Sequence, residues 1–168
     1  MPRPHGKHSV YHSTDLLLGH YRGMEGTKTG FTNPAGYCFV GTAKRGGVEL
    51  IGVVLGASSN SGRFSQMRKL LDWGFAHSHV RTLVSKDATL GAVPVSGGVD
   101  ASVTVRSTRT VSAAVLDGSA TTIKLRLLSV FTAPVALGES AGVAWIYQGG
   151  YFITTTSVVA MRSVAATP

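Results

Sequence analysis

Four kinds of reactive group in this 168-residue sequence could do chemistry: Lys28 and Thr29 beside Gly30, the lone Cys38, a set of histidines, and serines placed ahead of basic residues. Lys28-Thr29-Gly30 sits in Gly23-Met24-Glu25-Gly26-Thr27-Lys28-Thr29-Gly30-Phe31-Thr32-Asn33-Pro34-Ala35-Gly36-Tyr37, an ammonium and a hydroxyl followed by bare backbone. Strand alternation would send Lys28 and Thr29 to opposite faces. On residue type alone, Lys28 also fits a solvated edge-strand charge that opposes aggregation, and Arg63 a charge on a helix surface. His5, His8 and His12 could share one helical face and hold a metal, but Pro2 and Pro4 oppose a helix there. No carboxylate or cysteine nearby completes a ligand set, so neither metal nor cofactor is expected. Residues 1–12 read as a disordered leader. His77 and His79 fall at a predicted helix end, where they would cap carbonyls. Cys38 has no partner for an internal disulfide and lies in an apolar, strand-like run, which reads as a buried, inert thiol. No serine is followed by a lysine three residues on; Ser65-Gln66-Met67-Arg68 comes nearest, and arginine cannot release a proton to act as a base.

The tripeptide alone is weak, but its surroundings extend the pattern. Asp15-Leu16-Leu17-Leu18-Gly19 leads into it. Ala35-Gly36-Tyr37-Cys38-Phe39-Val40-Gly41-Thr42-Ala43, then Leu50-Ile51-Gly52-Val53-Val54-Leu55-Gly56-Ala57, follow it. Arg63-Phe64 precedes Leu70-Leu71-Asp72-Trp73-Gly74-Phe75, and Ala133-Pro134-Val135 through Val158-Val159-Ala160 close the chain. In order and spacing, from about residue 13 to about residue 165, these segments resemble the C-terminal portion of the serine-type D-Ala-D-Ala carboxypeptidases, the low-molecular-mass penicillin-binding proteins. Lys28-Thr29-Gly30 matches the third of that family's three motifs; Ser-x-x-Lys and a preceding Ser-x-Asn are the other two. Neither is present in place: Ser58-Ser59-Asn60 has the letters of the second but follows Lys28-Thr29-Gly30 and reads as a loop and helix cap.

The elements that would position these residues are legible in the pattern. Strands are predicted at about 26–32, 36–45 and 48–57, with Asn33-Pro34-Ala35-Gly36 turning the first into the second. The two glycines of Arg45-Gly46-Gly47-Val48 make a tight hairpin. Ser59-Asn60-Ser61 offers an N-cap to a helix in which Phe64, Met67, Leu71 and Phe75 recur at helical spacing; Gly74 weakens its end. From residue 79 on, short alternating segments (Val103–Val105, Val111–Val115, Ile123–Leu127, Ala144–Tyr147, Tyr151–Thr154) are separated by turns and favour a small β-sandwich. Asp117-Gly118 and Gly149-Gly150 read as hairpin centres, and Trp145 with Tyr147 as core residues on one strand face. The fold class is therefore α+β over residues 1–78, a three-stranded antiparallel sheet plus one helix, followed by an all-β sandwich domain over 79–168. The lone sheet with one helix would leave one apolar face bare.

Composition excludes several classes. A hydrophobic fraction of 43% suits a folded chain. Through residue 86 there are eleven Lys or Arg against four Asp or Glu, and five against four thereafter, so the net charge of +8 is concentrated in the first half. Those cations are scattered and not interleaved with aromatics, so nucleic acid is not an expected partner. The start lacks the apolar core of a secretion signal, and no apolar stretch is long enough to span a bilayer. The sequence reads as the back portion of a longer gene product.

The resemblance implies a substrate and roles. The substrate class is the peptidoglycan stem peptide ending in D-Ala-D-Ala, with β-lactams as mimics, handled outside the cytoplasm through an acyl-serine intermediate. Lys28 would stand beside the serine machinery and the substrate carboxylate, and Thr29 would offer its hydroxyl to that carboxylate. Gly30 would let substrate backbone lie along the strand edge, and the Phe31 N–H would be one oxyanion donor. Thr32 and Arg63 align with positions that help bind the terminal carboxylate. With the nucleophile missing, the chain by itself is expected to be inactive. A non-catalytic β-sandwich module, or one half of a split enzyme, are the competing readings.

Overall fold

The computed structural model describes residues 12–168, so the leader reading and the His5/His8 pair fall outside the described residues; His12 is exposed. The chain divides into two compact units, one ending at Ser78 and one running from His79 to Pro168.

In the first unit, β1 (Met24–Thr32), β2 (Gly36–Arg45) and β3 (Val48–Ala57) form an antiparallel sheet in sequence order, with β1 and β3 at its edges. Gly46 and Gly47, at φ of 55° and 83°, take the left-handed angles a two-residue hairpin needs. Ser59 then caps α1 (Asn60–His77), its hydroxyl accepting the Gly62 N–H at 3.0 Å. The predicted strands and helix are thus found within two residues at each end. Phe64, Met67 and Leu71 on α1 pack against Phe39, Ala43 and Val54 of the sheet, joined by Leu17, Tyr21 and Met24. Two glycines permit that approach: a methyl on Gly52 would lie 2.5 Å from the Met67 sulfur, and one on Gly74 would lie 2.6 Å from Leu50 Cδ1. Gly74 therefore trades helix propensity for close packing, and the helix continues through it. The opposite sheet face is bare, with Ile51, Val53 and Leu55 of β3 exposed by 71%, 52% and 72%.

The segment ahead of β1 is pinned to α1. Asp15 Oδ1 accepts the Leu17 and Leu18 N–H groups at 2.8 and 3.3 Å, an Asx turn. The Tyr21 hydroxyl donates to Asp72 at 2.7 Å, while Arg45 sits 4.4 Å above both the Tyr21 and Phe75 rings. Burial, followed by that bond to Asp72, pushes the Tyr21 phenol up to about 12.

The second unit is all β. It comprises β4 (Ser78–Val84), β5 (Thr89–Ser96), β6 (Ser102–Ser107), β7 (Val111–Leu116), β8 (Thr121–Leu127), β9 (Phe131–Thr132), β10 (Ser140–Gln148) and β11 (Tyr151–Ala160). Six strands make one sheet in the order β8-β10-β11-β6-β5-β9, and β4 pairs with β7 separately. Its core is small and aliphatic: Val93, Val103, Val105, Val158 and Val164 with Phe131, Ala141 and Ala144. Strands β4, β5 and β9 lie where no strand was expected.

Three expectations need correction. Asp117-Gly118 is a turn but not a hairpin centre, because β7 pairs with β4 and β8 with β10; Asp117 instead bonds Arg81 at 3.1 Å. Gly149-Gly150 does close the β10–β11 hairpin. Trp145 and Tyr147 share a face, but the wrong one for a core: Ala144 and Ile146, at 0% exposure, take the buried side, and Trp145 is 40% exposed. Cys38 is half-buried, not buried.

Candidate functional site

The candidate residues converge on one end of the free edge strand β1. Lys28, Gly30, Phe31 and Thr32 are exposed and Thr29 half-buried. In register, Lys28 pairs with Val40, Thr29 with Phe39, Gly30 with Cys38 and Phe31 with Tyr37. Phe39 is the fully buried side of β2, so Thr29 lies on the helix-bearing face and Lys28 on the bare one. The two side chains are thus divided by the strand, as alternation requires.

Each polar group has a defined neighbour. Lys28 Nζ donates to the Thr29 carbonyl at 2.6 Å. The Thr29 hydroxyl lies 2.7 Å from that of Thr14. Thr32 Oγ1 accepts the Ala35 N–H at 3.2 Å and so shapes the β1–β2 turn while keeping its own proton to donate. Phe31 packs on Tyr37 with ring centroids 4.4 Å apart, beside a shallow depression of about 470 Å³ reaching Gly56.

Arg63 comes from the first turn of α1 and is buried, with 7% exposure. Its Nη1 donates to the Gly30 carbonyl at 2.9 Å and the Cys38 carbonyl at 3.2 Å, and its Nη2 donates to Asn60 Oδ1 at 2.6 Å. The guanidinium lies 4.9 Å from the Phe64 centroid and 5.5 Å from that of Tyr37. All of its hydrogen-bond acceptors are neutral, and its buried Nε has no acceptor among the described residues. A desolvated cation without a counter-ion among the described residues leaves a positive potential beneath Gly30. It is neither the helix-surface charge that residue type suggested nor a side chain projecting into solvent.

The structure therefore brings Lys28, Thr29, Gly30, Phe31, Thr32 and Arg63 to one sheet edge. Sequence reasoning missed two supporting groups. Thr14 has no local signal, because its contact spans fifteen residues. Asn60 was read only as part of a cap, yet it orients Arg63. Ser65 and Arg68 lie on α1 along a separate groove with Leu16 and Phe64, and Ser59 of Ser58-Ser59-Asn60 caps the helix. Among the described residues no cluster of three metal-ligating side chains occurs, and no helix is long and apolar enough to cross a membrane.

Comparison with known proteins bears on this edge. A family model described as D-alanyl-D-alanine carboxypeptidase matches residues 5–59. The chain is similar to carboxypeptidase DacC of Escherichia coli, 31% identical over 152 residues, covering 89% of this chain and 38% of the relative. It is 27% identical over 155 residues to DacF of Bacillus subtilis, covering 90% and 40%. Among solved structures, DacD from Francisella tularensis aligns at 30% identity with a TM-score of 0.54 over 90% of this chain and 38% of its own. PBP3 from Streptococcus pneumoniae, titled a peptidoglycan synthesis regulatory factor, aligns at 25% with a TM-score of 0.58 over 90% and 47%. The chain thus spans about two-fifths of the length of the curated relatives that it matches along most of its own.

Proposed function

We propose that this chain, of the D-alanyl-D-alanine carboxypeptidase family over the part of those proteins that it spans, supplies one wall of an acyl-transfer pocket for peptides ending in D-Ala-D-Ala. The observation that carries the reading is the Lys28-Thr29-Gly30 edge of β1, with Lys28 and Gly30 exposed, backed by a buried arginine with no counter-ion among the described residues. Hydrolysis of such a terminus needs an activated nucleophile, an oxyanion hole and a holder for the substrate carboxylate. This edge is suited to the last two tasks. A peptide laid along the free side of β1 adds a strand, and Gly30 presents no side chain to obstruct it. Thr29 then supplies a hydroxyl for the terminal carboxylate, Lys28 reaches round the strand edge from the other face to supply a cation, and Thr32 is a further donor. Arg63 adds its positive potential from behind, and the Phe31 N–H is one oxyanion donor.

The nucleophile is the missing part. No Ser-x-x-Lys occurs in the 168 residues, and loss of the nucleophile alone removes about six powers of ten from turnover in a serine hydrolase. The chain by itself therefore forms no covalent penicillin adduct and releases no D-Ala. Incubation with a fluorescent penicillin, followed by denaturing electrophoresis, tests this. No labelled band at 17.5 kDa is expected, and a band there would overturn the reading.

A second reading is favoured by the bare face of β3. Ile51, Val53 and Leu55 form an exposed apolar stripe on the same side as Lys28, which suits one half of a two-part enzyme whose other part carries the serine motif. Restored penicillin labelling on co-expression with such a part distinguishes it. The second unit is read as a small β-sandwich that positions the first, and the site of action as extracytoplasmic, on the resemblance alone.

A further inference from the structure

The outer face of β8, β10 and β11 carries a combination that neither the core nor the β1 edge uses. Cross-strand partners share a face, and three rows cross it: Arg126, Val143 and Ser157; Lys124, Trp145 and Thr155; Thr122, Tyr147 and Phe152. Trp145 and Phe152 are 40% and 52% exposed, with centroids 5.5 Å apart, and Tyr147 packs edge-on to Phe152 at 5.8 Å. Lys124 Nζ lies 5.1 Å from the Tyr147 centroid. Beside the rings runs a cleft of about 390 Å³, bounded by Arg126, Leu128, Gly142, Val143 and Trp145. Gly142, at φ of 142°, forms its floor; a Cβ there would fall 2.2 Å from the Arg126 carbonyl oxygen, so only glycine lets β10 close on β8.

The charges are segregated as well. The carboxylates of this unit are all engaged elsewhere: Asp87 with Arg106, Asp100 with Arg162, Asp117 with Arg81 and His79, and Glu139 with the Ala136 N–H. Lys124 and Arg126 have no acid partner among the described residues; Lys124 stands over the half-buried Tyr147 ring, and Arg126 lines the cleft with Trp145. An aromatic row gains little for a solvent-facing sheet by itself; large exposed aromatic surface marks a binding surface.

We propose that this face binds an anionic saccharide chain. Ring faces stack on the C–H faces of sugars, the hydroxyls of Thr122, Thr155 and Ser157 exchange hydrogen bonds with sugar hydroxyls, and Lys124 and Arg126 meet carboxylates on the chain. Each row pairs an apolar side chain with a hydroxyl, and two of the three add a cation, which suits a polar chain laid across the strands better than insertion into lipid, where a contiguous apolar wedge is required. The choice of cell-wall glycan as probe rests on the proposed function, but the site tested lies in the other unit, so penicillin labelling and saccharide binding can fail separately.

The test is co-sedimentation of the full chain with purified, insoluble peptidoglycan, alongside vesicles of anionic phosphatidylglycerol and neutral phosphatidylcholine. Binding to peptidoglycan is expected, weakened by raised salt. Lys124→Glu with Arg126→Glu, and separately Trp145→Ala, should each lower the bound fraction at least tenfold. Lys69→Glu, an equivalent charge reversal on the surface of α1, should not. Circular dichroism melts of the charge variants should match the parent, since both side chains are exposed. No sedimentation, binding unaffected by these variants, or capture by anionic vesicles without peptidoglycan binding would each overturn the proposal.

Discussion

Arg63 is the residue on which the geometry of the β1 edge turns. It is a buried cation whose acceptors are two main-chain carbonyls and an asparagine. Removing it leaves the Gly30 and Cys38 carbonyls without that donor, at a cost of about 1–3 kcal/mol, partly offset by the loss of an unpaired buried charge. Arg63→Ala is therefore expected to lower unfolding free energy by about 1–3 kcal/mol in urea titrations, with the largest amide shifts at Gly30 and Phe31. A change confined to the helix would show that the arginine does not hold the strand. The resemblance named Arg63 as a site residue but gave no sign of its burial. Helical spacing places Arg63 next to Phe64 and says nothing of where a long side chain ends. Thr14 illustrates the same limit, because a hydroxyl pair spanning fifteen residues leaves no local pattern.

At the level of elements, the strands and helix of the first unit followed from turn chemistry, capping and period. Arg45-Gly46-Gly47-Val48 and Ser59 act locally, so local residues reveal them. The clasp between the segment ahead of β1 and α1 depends instead on a Tyr21–Asp72 bond across fifty-one residues. Its pH dependence has a definite sign. The folded phenol titrates near 12 against an ordinary 10.0, so between those values the unfolded chain has lost a proton that the folded chain retains. Stability from this group is intact below pH 10 and falls as pH rises towards 12. Urea midpoints should decline over that window more steeply in the parent than in Tyr21→Phe; equal slopes would refute the clasp. In the second unit, alternation found β6, β7, β8, β10 and β11 but could not choose between faces. A one-residue shift separates the side bearing Trp145 from the side bearing Ile146, and the register irregularity between Ser140 and Gly142 lies within the same strand.

Across the whole molecule the two units differ in how completely they enclose their cores. The first has two open sheet edges and a bare apolar face. The second buries Val93, Val103, Val105, Val158 and Val164 between strands that are mostly paired on both sides. Amides of β5, β6, β10 and β11 are therefore expected to exchange more slowly than those of residues 26–57; the reverse order would contradict this account of the cores.

The sequence by itself determined the family resemblance, the three-stranded sheet with its capped helix, the Lys28-Thr29-Gly30 strand and the lack of a Ser-x-x-Lys. These depend on neighbours within a few residues, where backbone preference and side-chain period are written directly. Tertiary structure alone decided that Arg63 lies buried beneath Gly30, that Thr14 meets Thr29, that β7 leaves β8 to pair with β4, and that Trp145 faces solvent beside Lys124. Each of those outcomes depends on which distant strand or helix fills a given space, and packing, not local preference, makes that choice.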